Sequence, residues 1–163
     1  MKQKKSIFLF LALILPVLIF LFLKFFGKNE FAVKPLFVES NSEIPSGCLP
    51  VAFPYHVPDS VMRQLGIKED SLALVLFGEP DEEGKIQINR IMDEISKDGI
   101  RMIRFPAPGP KVAQWKKCVF FLKEPLDLVL VDRGGLIRGQ YVSNDREEVD
   151  RLLTEITIIL KKY

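Results

Sequence analysis

The sequence has few of the side chains from which metal sites and nucleophilic active sites are usually built. It contains one histidine and two cysteines in 163 residues. Zinc sites and hydrolases need several such groups close together, so the composition argues against both classes. A large charge excess is also lacking, since the formal net charge is only +2 and the basic residues are interleaved with acidic ones. We therefore expect no nucleic-acid partner.

What the sequence does contain is a long apolar run near its beginning. Residues 7–23 read IFLFLALILPVLIFLFL, with lysines on both sides. Roughly 17–20 helical residues span the hydrocarbon core of a bilayer, and Pro16 is better tolerated in a transmembrane helix than in a soluble one. No small-residue cleavage site follows, which favours an uncleaved anchor over a signal peptide. The sequence thus predicts contact with a membrane through residues 7–23.

The predicted anchor suggests how the chain is divided and where it resides. The short basic N-terminus favours retention of that end in the cytoplasm. We therefore expect a single-pass protein of the cell membrane whose C-terminal domain lies on the extracytoplasmic, periplasmic side. The predicted division is a transmembrane anchor over residues 1–27, a turn-rich linker over residues 28–50 and one folded domain over residues 51–163.

The predicted domain alternates between strand and helix patterns. Residues 72–77 are apolar throughout, as in a strand covered on both faces, and residues 88–95 have apolar side chains at helical spacing. Residues 100–105 form a second strand and complete a β-α-β unit. A short helix, three strands and a terminal amphipathic helix are predicted at residues 112–117, 118–122, 126–131, 136–141 and 149–160. This order predicts an α/β, thioredoxin-like fold preceded by one transmembrane helix.

The hairpin and the terminal helix carry a resemblance to a known family. Residues 128–156 read LVLVDRGGLIRGQYVSNDREEVDRLLTEI, and shorter matching segments are GKNEF at residues 27–31 and YHVPDS at residues 55–60. These segments resemble the Sco/SenC proteins, in particular their membrane-anchored bacterial members. That family consists of thioredoxin-fold, copper-handling factors for cytochrome oxidase assembly. The resemblance implies a thioredoxin-like domain with a role in respiratory oxidase assembly.

The residues that perform the family's chemistry are missing at the matching positions. Sco/SenC proteins use a C-x-x-x-C pair after the first core strand and a distal histidine, which together suit Cu(I). Here the corresponding loop, residues 78–84, reads GEPDEEG, and residues 118–128 contain no histidine. The resemblance therefore transfers no catalytic, cofactor-binding or metal-binding residue. The four acids of the loop are expected to form a solvated turn rather than a site for a hard cation.

Cys48 and Cys118 are the remaining candidates for a functional pair. In a domain outside the cytoplasm, two cysteines suggest a disulfide, here one between the predicted linker and the sheet. Two buried free thiols, or a redox or metal pair, are the alternatives. His56 lies eight residues after Cys48. Cys48, His56 and Cys118 could therefore form a relocated soft-metal site for copper.

Two main functional hypotheses follow. The first, which we favour, is a Sco/SenC-like thioredoxin-fold protein without a redox or copper site, which binds a protein partner in respiratory oxidase assembly and is not an enzyme. The second is an extracytoplasmic thiol-disulfide or copper-handling protein that uses Cys48, Cys118 and His56. A purely structural subunit is a third possibility that the residues leave open.

Overall fold

The computed structural model describes residues 13–22, 24, 32–40, 44–67, 72–96, 100–106 and 109–162. The chain divides into two compact units, Met1–Ala32 and Val33–Tyr163. In the first unit, residues 13–22 form a helix, α1. The second unit contains all the strands that the structure describes, and the candidate sites lie within it.

The prediction of a membrane anchor is wrong. Of the predicted span, the structure describes residues 13–22, and these are helical. Residues 7–12 and Leu23 of the predicted span lie outside the described residues. Across the described part of the chain, no helix is long and apolar enough to cross a membrane. The finding overturns the predicted transmembrane helix and the single-pass, periplasmic location. Contact with a membrane through residues 7–23 stays a prediction.

The second unit is a mixed α/β fold around a four-stranded sheet. Its elements in chain order are α2 (Asp59–Gln64), β1 (Ala73–Phe77), α3 (Glu82–Ile95), β2 (Arg101–Phe105), α4 (Pro110–Cys118), β3 (Leu128–Val131), β4 (Ile137–Tyr141) and α5 (Arg146–Lys162). The strand order is β2-β1-β3-β4. β1 and β2 are parallel, while β3 runs antiparallel to both β1 and β4. The predicted α/β class, with its β-α-β unit, hairpin and terminal helix, is confirmed.

Both faces of the sheet are covered, which explains why β1 and β3 are apolar throughout. Every residue of these two strands is buried. On one face, Leu74 and Leu76 belong to an apolar cluster with Ile88 and Ile91 of α3 and with the inner stripe of α5. On the other face, Val75 belongs to a second cluster that α2, α4 and the residues before α2 complete.

Residues 118–122 were predicted as a strand, and the structure shows a different conformation. α4 extends to Cys118, and the residues after it lie irregularly against the sheet. Phe120 and Phe121 are almost completely buried there, at 0% and 2% exposure. Phe121 has a φ of +51°, which lies outside the β region. Burial of this segment, rather than strand pairing, explains its apolar sequence.

Much of the predicted linker packs against the domain. The backbone N–H of Leu36 donates to the carbonyl of Ile137 at 2.7 Å, and that of Tyr55 donates to the carbonyl of Phe37 at 2.9 Å. The rings of Phe37 and Phe121 lie 4.9 Å apart between centroids. The folded unit therefore begins at Val33, before the predicted boundary at residue 51.

A buried ion pair closes the β3–β4 hairpin. Nε of Arg138 lies 2.7 Å from Oδ2 of Asp132, and the two side chains are only 10% and 6% exposed. Oδ1 of Asp132 accepts hydrogen bonds from the backbone N–H groups of Gly134 and Leu136. A second guanidinium nitrogen of Arg138 donates to the carbonyl of Val33 at 2.9 Å. The pair therefore fixes both the turn and the start of the folded unit.

Gly139 in β4 tests the packing of the hairpin. A Cβ atom at position 139 would collide with the hydroxyl and ring of Tyr141, which is fully buried. We expect Gly139→Ala to lower the free energy of unfolding by about 2–3 kcal/mol, because overpacking a core typically costs this much. Urea denaturation followed by circular dichroism measures the loss.

Gly134→Ala, in the turn of the same hairpin, is the matched control. A Cβ atom there would meet its nearest neighbour, an oxygen of Asp132, at an ordinary 3.4 Å. We expect this variant to stay within about 0.5 kcal/mol of the wild type. Equal losses in the two variants would contradict the role assigned to Gly139.

Candidate functional site

The loop between β1 and α3 is where the family resemblance places the copper-binding motif. Asp81 lies in this loop and caps α3, since its Oδ1 accepts a hydrogen bond from the backbone N–H of Gly84 at 2.8 Å. Its Oδ2 accepts one from the side-chain amide of Asn144, also at 2.8 Å. The hydrogen bond from Asn144, followed by that from Gly84, holds the pKa of Asp81 below its ordinary value of 3.8. Asp81 thus acts as an ionised helix cap that ties the loop to the start of α5.

A second carboxyl group, Asp127, lies just before β3. It accepts hydrogen bonds from the backbone N–H of Ser143 at 2.7 Å and from the hydroxyl of the same residue. Burial raises the pKa of Asp127, although the hydrogen bonds from Ser143 act in the opposite direction. Ser143 is only 1% exposed, so its hydroxyl cannot reach a substrate as a nucleophile. The pair therefore connects two loops rather than forming a catalytic dyad.

The two cysteines are joined by the expected disulfide. The sulfurs of Cys48 and Cys118 lie 1.98 Å apart, and the bond links positions separated by 70 residues. Cys118 is the last residue of α4. A reactive thiolate is stabilised at a helix N-terminus, whereas Cys118 lies at the opposite end of its helix. The position therefore favours a structural cross-link over a redox catalyst.

A hydrogen bond from Tyr55 holds the same two segments together. Its hydroxyl donates to the carbonyl of Val119, immediately after Cys118, at 2.9 Å. Burial raises the pKa of Tyr55 to about 12, so the phenol keeps its proton and remains a donor. The ring of Tyr55 also lies 4.5 Å from that of Phe121 between centroids. The segment before α2 is thus attached to the end of α4 by covalent, polar and aromatic contacts.

His56 is not assembled with the cysteines into a metal site. Its ring is exposed, and Nδ1 lies 3.0 Å from the carbonyl oxygen of Pro54. Within the ranges that the structure describes, no group of three or more His, Cys, Asp or Glu side chains is placed to hold a metal ion. The candidate set of Cys48, His56 and Cys118 is therefore not brought together, and both sulfurs are used in the disulfide.

The sequence analysis missed a cavity of about 420 Å³ at the carboxyl ends of β1 and β2. Buried Leu76 and Ile88 line it together with Lys85, Asn89 and Arg104. The chain leaves β1 into α3 on one face of the sheet and leaves β2 into α4 on the other face. Such a divergence opens a crevice at the carboxyl ends of parallel strands. The cavity could have been foreseen only by knowing which face of the sheet each helix covers. The sequence pattern alone does not give this information.

A larger depression, of about 690 Å³, lies between α2 and the turn of the β3–β4 hairpin. Asp59, Met62 and Arg63 line it on one side, and Arg133 and Gly135 on the other. Arg63 donates a long hydrogen bond of 3.4 Å to the carbonyl of Asp59. We consider the smaller cavity the better candidate site, because it lies where the strand topology itself creates a crevice.

Comparison with known proteins adds no assignment. No protein-family model matches the chain, and no curated protein gives a significant match. The candidate sites are therefore interpreted from their geometry and from the sequence resemblance.

Asp127 predicts a pH dependence of stability with a defined sign. Because burial raises its pKa above the ordinary 3.8, the folded chain holds this proton more tightly than the unfolded chain. The contribution of Asp127 to stability therefore falls as the pH rises from about 4 through the raised pKa. We expect Asp127→Asn, which removes the charge but keeps the shape, to be more damaging near pH 4 than near pH 7.

Urea denaturation of the wild type and the variant at both pH values gives this difference directly. The readout is the stability difference between wild type and variant, compared between pH 4 and pH 7. A loss of packing in the variant that does not depend on pH contributes equally at both values and cancels. A wild type that gains stability relative to the variant towards pH 7 would show that the hydrogen bonds from Ser143 outweigh the burial of Asp127.

Proposed function

We propose that the chain is a Sco/SenC-like protein with a thioredoxin-like fold, which has no redox or copper site and acts by binding a protein partner in respiratory oxidase assembly. The observation that carries the proposal is the loop between β1 and α3. Residues 78–84 contain no cysteine where the family has its cysteine pair, and Asp81 of this loop serves as the cap of α3 and as the acceptor for Asn144.

The arrangement of strands and helices supports the thioredoxin-like fold. The β1-α3-β2 unit, the β3–β4 hairpin and the terminal α5 follow each other in the order typical of that fold. The hairpin adds to β1 on the side opposite β2, so the strand order is β2-β1-β3-β4. α3 and α5 pack in the same apolar cluster on one face of the sheet.

The residues that carry the family resemblance have structural roles in the hairpin. Asp132 and Arg138 form its buried ion pair. Gly135 has a φ of +78°, and a Cβ atom there would lie 3.2 Å from the carbonyl oxygen of Val57. Gly139 leaves room for the ring of Tyr141. A chain that keeps these scaffold residues and lacks the copper ligands is consistent with binding of a partner by the scaffold itself.

The described residues also offer no replacement for the copper ligands. Cu(I) favours thiolates and imidazole, as in the family's own site. Cys48 and Cys118 are bonded to each other, and the ring of His56 faces solvent beside Pro54. The arrangement supports a role that does not depend on soft-metal chemistry.

Copper binding distinguishes this proposal from the copper-handling alternative. We expect the full chain, oxidised or reduced, to lose Cu(I) to an equimolar bicinchoninate chelator. Glu79→Cys/Glu83→Cys is the positive control, because it restores the C-x-x-x-C spacing in the loop before α3 and should retain more Cu(I) than the wild type. Stoichiometric retention of Cu(I) by the wild type, abolished by Cys48→Ser or His56→Ala, would overturn the proposal.

Oxidase assembly can be measured in the cells that produce the chain. We expect deletion of its gene to lower the amount of assembled cytochrome oxidase and the wild-type chain to restore it. His56→Ala should restore it equally well, because His56 is exposed and bonds only to the carbonyl of Pro54. An unchanged oxidase level after deletion would refute the assembly role. A His56→Ala chain that accumulates normally but fails to restore the oxidase would favour copper handling instead.

A further inference from the structure

The cavity at the carboxyl ends of β1 and β2 has the size and position of a ligand site. Its volume of about 420 Å³ lies within the range of small-molecule pockets, roughly 300–1,000 Å³. Pro80, which is partly exposed, and Pro106, which is exposed, give it an apolar surface, while Leu76 and Ile88 are each only 1% exposed and form its floor. In sheets with parallel strands, ligands bind where successive connections leave on opposite faces, and α3 and α4 do so here.

Arg104, on β2, supplies a cation that has no anionic partner among the described residues. Its guanidinium makes one weak contact, of 4.0 Å, with the sulfur of Met102. Other arginines pair with carboxylates: Arg90 with Asp150, Arg138 with Asp132, and Arg151 with Glu148 and Glu155. An exposed guanidinium in the wall of a cavity offers a planar pair of donors that matches the two oxygens of a carboxylate.

Lys85, in the first turn of α3, supplies a second cation. Its ammonium group lies 2.7 Å from a carboxylate oxygen of Glu82, and both side chains are largely exposed. Exposed pairs of this kind are weak, so Lys85 can turn towards a ligand. The N-terminus of α3 is not the binding group, because Asp81 already accepts the N–H of Gly84.

The lining limits the charge of the ligand. Glu79 also lines the cavity, so two cations and one carboxylate surround it. A surplus of one positive charge suits a monoanion and disfavours a polyanion, which Glu79 would repel. Asn89, one turn after Lys85 on α3, adds an uncharged hydrogen-bonding group.

We infer that this cavity binds a small monocarboxylate with an apolar tail. Arg104 holds the carboxylate, Lys85 assists it, and Pro80 and Pro106 contact the tail. The cavity borders the loop in which the family places its copper ligands, but carboxylate binding needs neither copper nor a protein partner, so either proposal can fail without the other.

Titration of the full chain with hexanoate, followed by NMR chemical shifts and calorimetry, tests the inference. We expect saturable binding, with shift changes concentrated at residues 76–89 and 104–106. Arg104→Gln should weaken hexanoate binding about tenfold or more, since a charge-assisted hydrogen bond is lost. Arg146→Gln, which changes an exposed arginine outside the cavity lining, is the matched control and should leave the affinity unchanged.

Hexanamide, which has the same tail without the charge, separates recognition of the carboxylate from apolar binding alone. We expect it to bind at least about tenfold more weakly than hexanoate. The inference is refuted by absent or unsaturable binding of hexanoate, by equal affinity of the Arg104→Gln variant and the wild type, or by hexanamide binding as tightly as hexanoate.

Discussion

The structure of the folded unit depends on the buried pair formed by Asp132 and Arg138. One carboxylate oxygen of Asp132 accepts a hydrogen bond from the guanidinium, and the other accepts hydrogen bonds from two backbone N–H groups of the turn. These bonds together fix the conformation of the β3–β4 turn. The same guanidinium reaches the carbonyl of Val33, which positions the segment that covers one face of the sheet. Loss of either partner would leave a buried charge uncompensated, at a cost of about 3–5 kcal/mol. The conformation of the turn and the position of the start of the folded unit thus both depend on this one ion pair.

Features that depend on local pattern were predictable from the sequence, and those that depend on distant contacts were not. β1 and β3 were recognisable because burial on both faces requires continuous apolar residues. Residues 118–122 are as apolar as β1 and β3, but they are buried in an irregular conformation. Hydrophobic periodicity cannot distinguish such a segment from a strand. Hydropathy likewise suggested a membrane span at residues 7–23, whereas no helix among the described residues is long and apolar enough to cross a membrane. The packing of Phe37 depends on Phe121, far away in the chain, so its segment resembled a linker.

The candidate sites divide in the same way. The lack of cysteine in residues 78–84 could be read directly. The disulfide between Cys48 and Cys118 was one of the alternatives that two cysteines leave open, and the structure shows it formed. The cavity could not be foreseen, because it depends on which face of the sheet each helix covers. The isolation of Arg104 could not be foreseen either, because it depends on neighbours in space. The residues that carry the family resemblance have packing roles of their own in the hairpin, since Asp132 pairs with Arg138 and Gly139 leaves room for Tyr141.

The disulfide has a topological consequence beyond stability. It closes a covalent ring that contains α2, β1, α3, β2 and α4, because its two ends lie before the first and at the end of the last of these elements. A protease that cuts once anywhere inside the ring therefore leaves a single molecule of nearly unchanged mass. Nicked and intact chains would migrate together on denaturing gels until a reductant is added, so a sample judged whole without reductant can already be in two pieces.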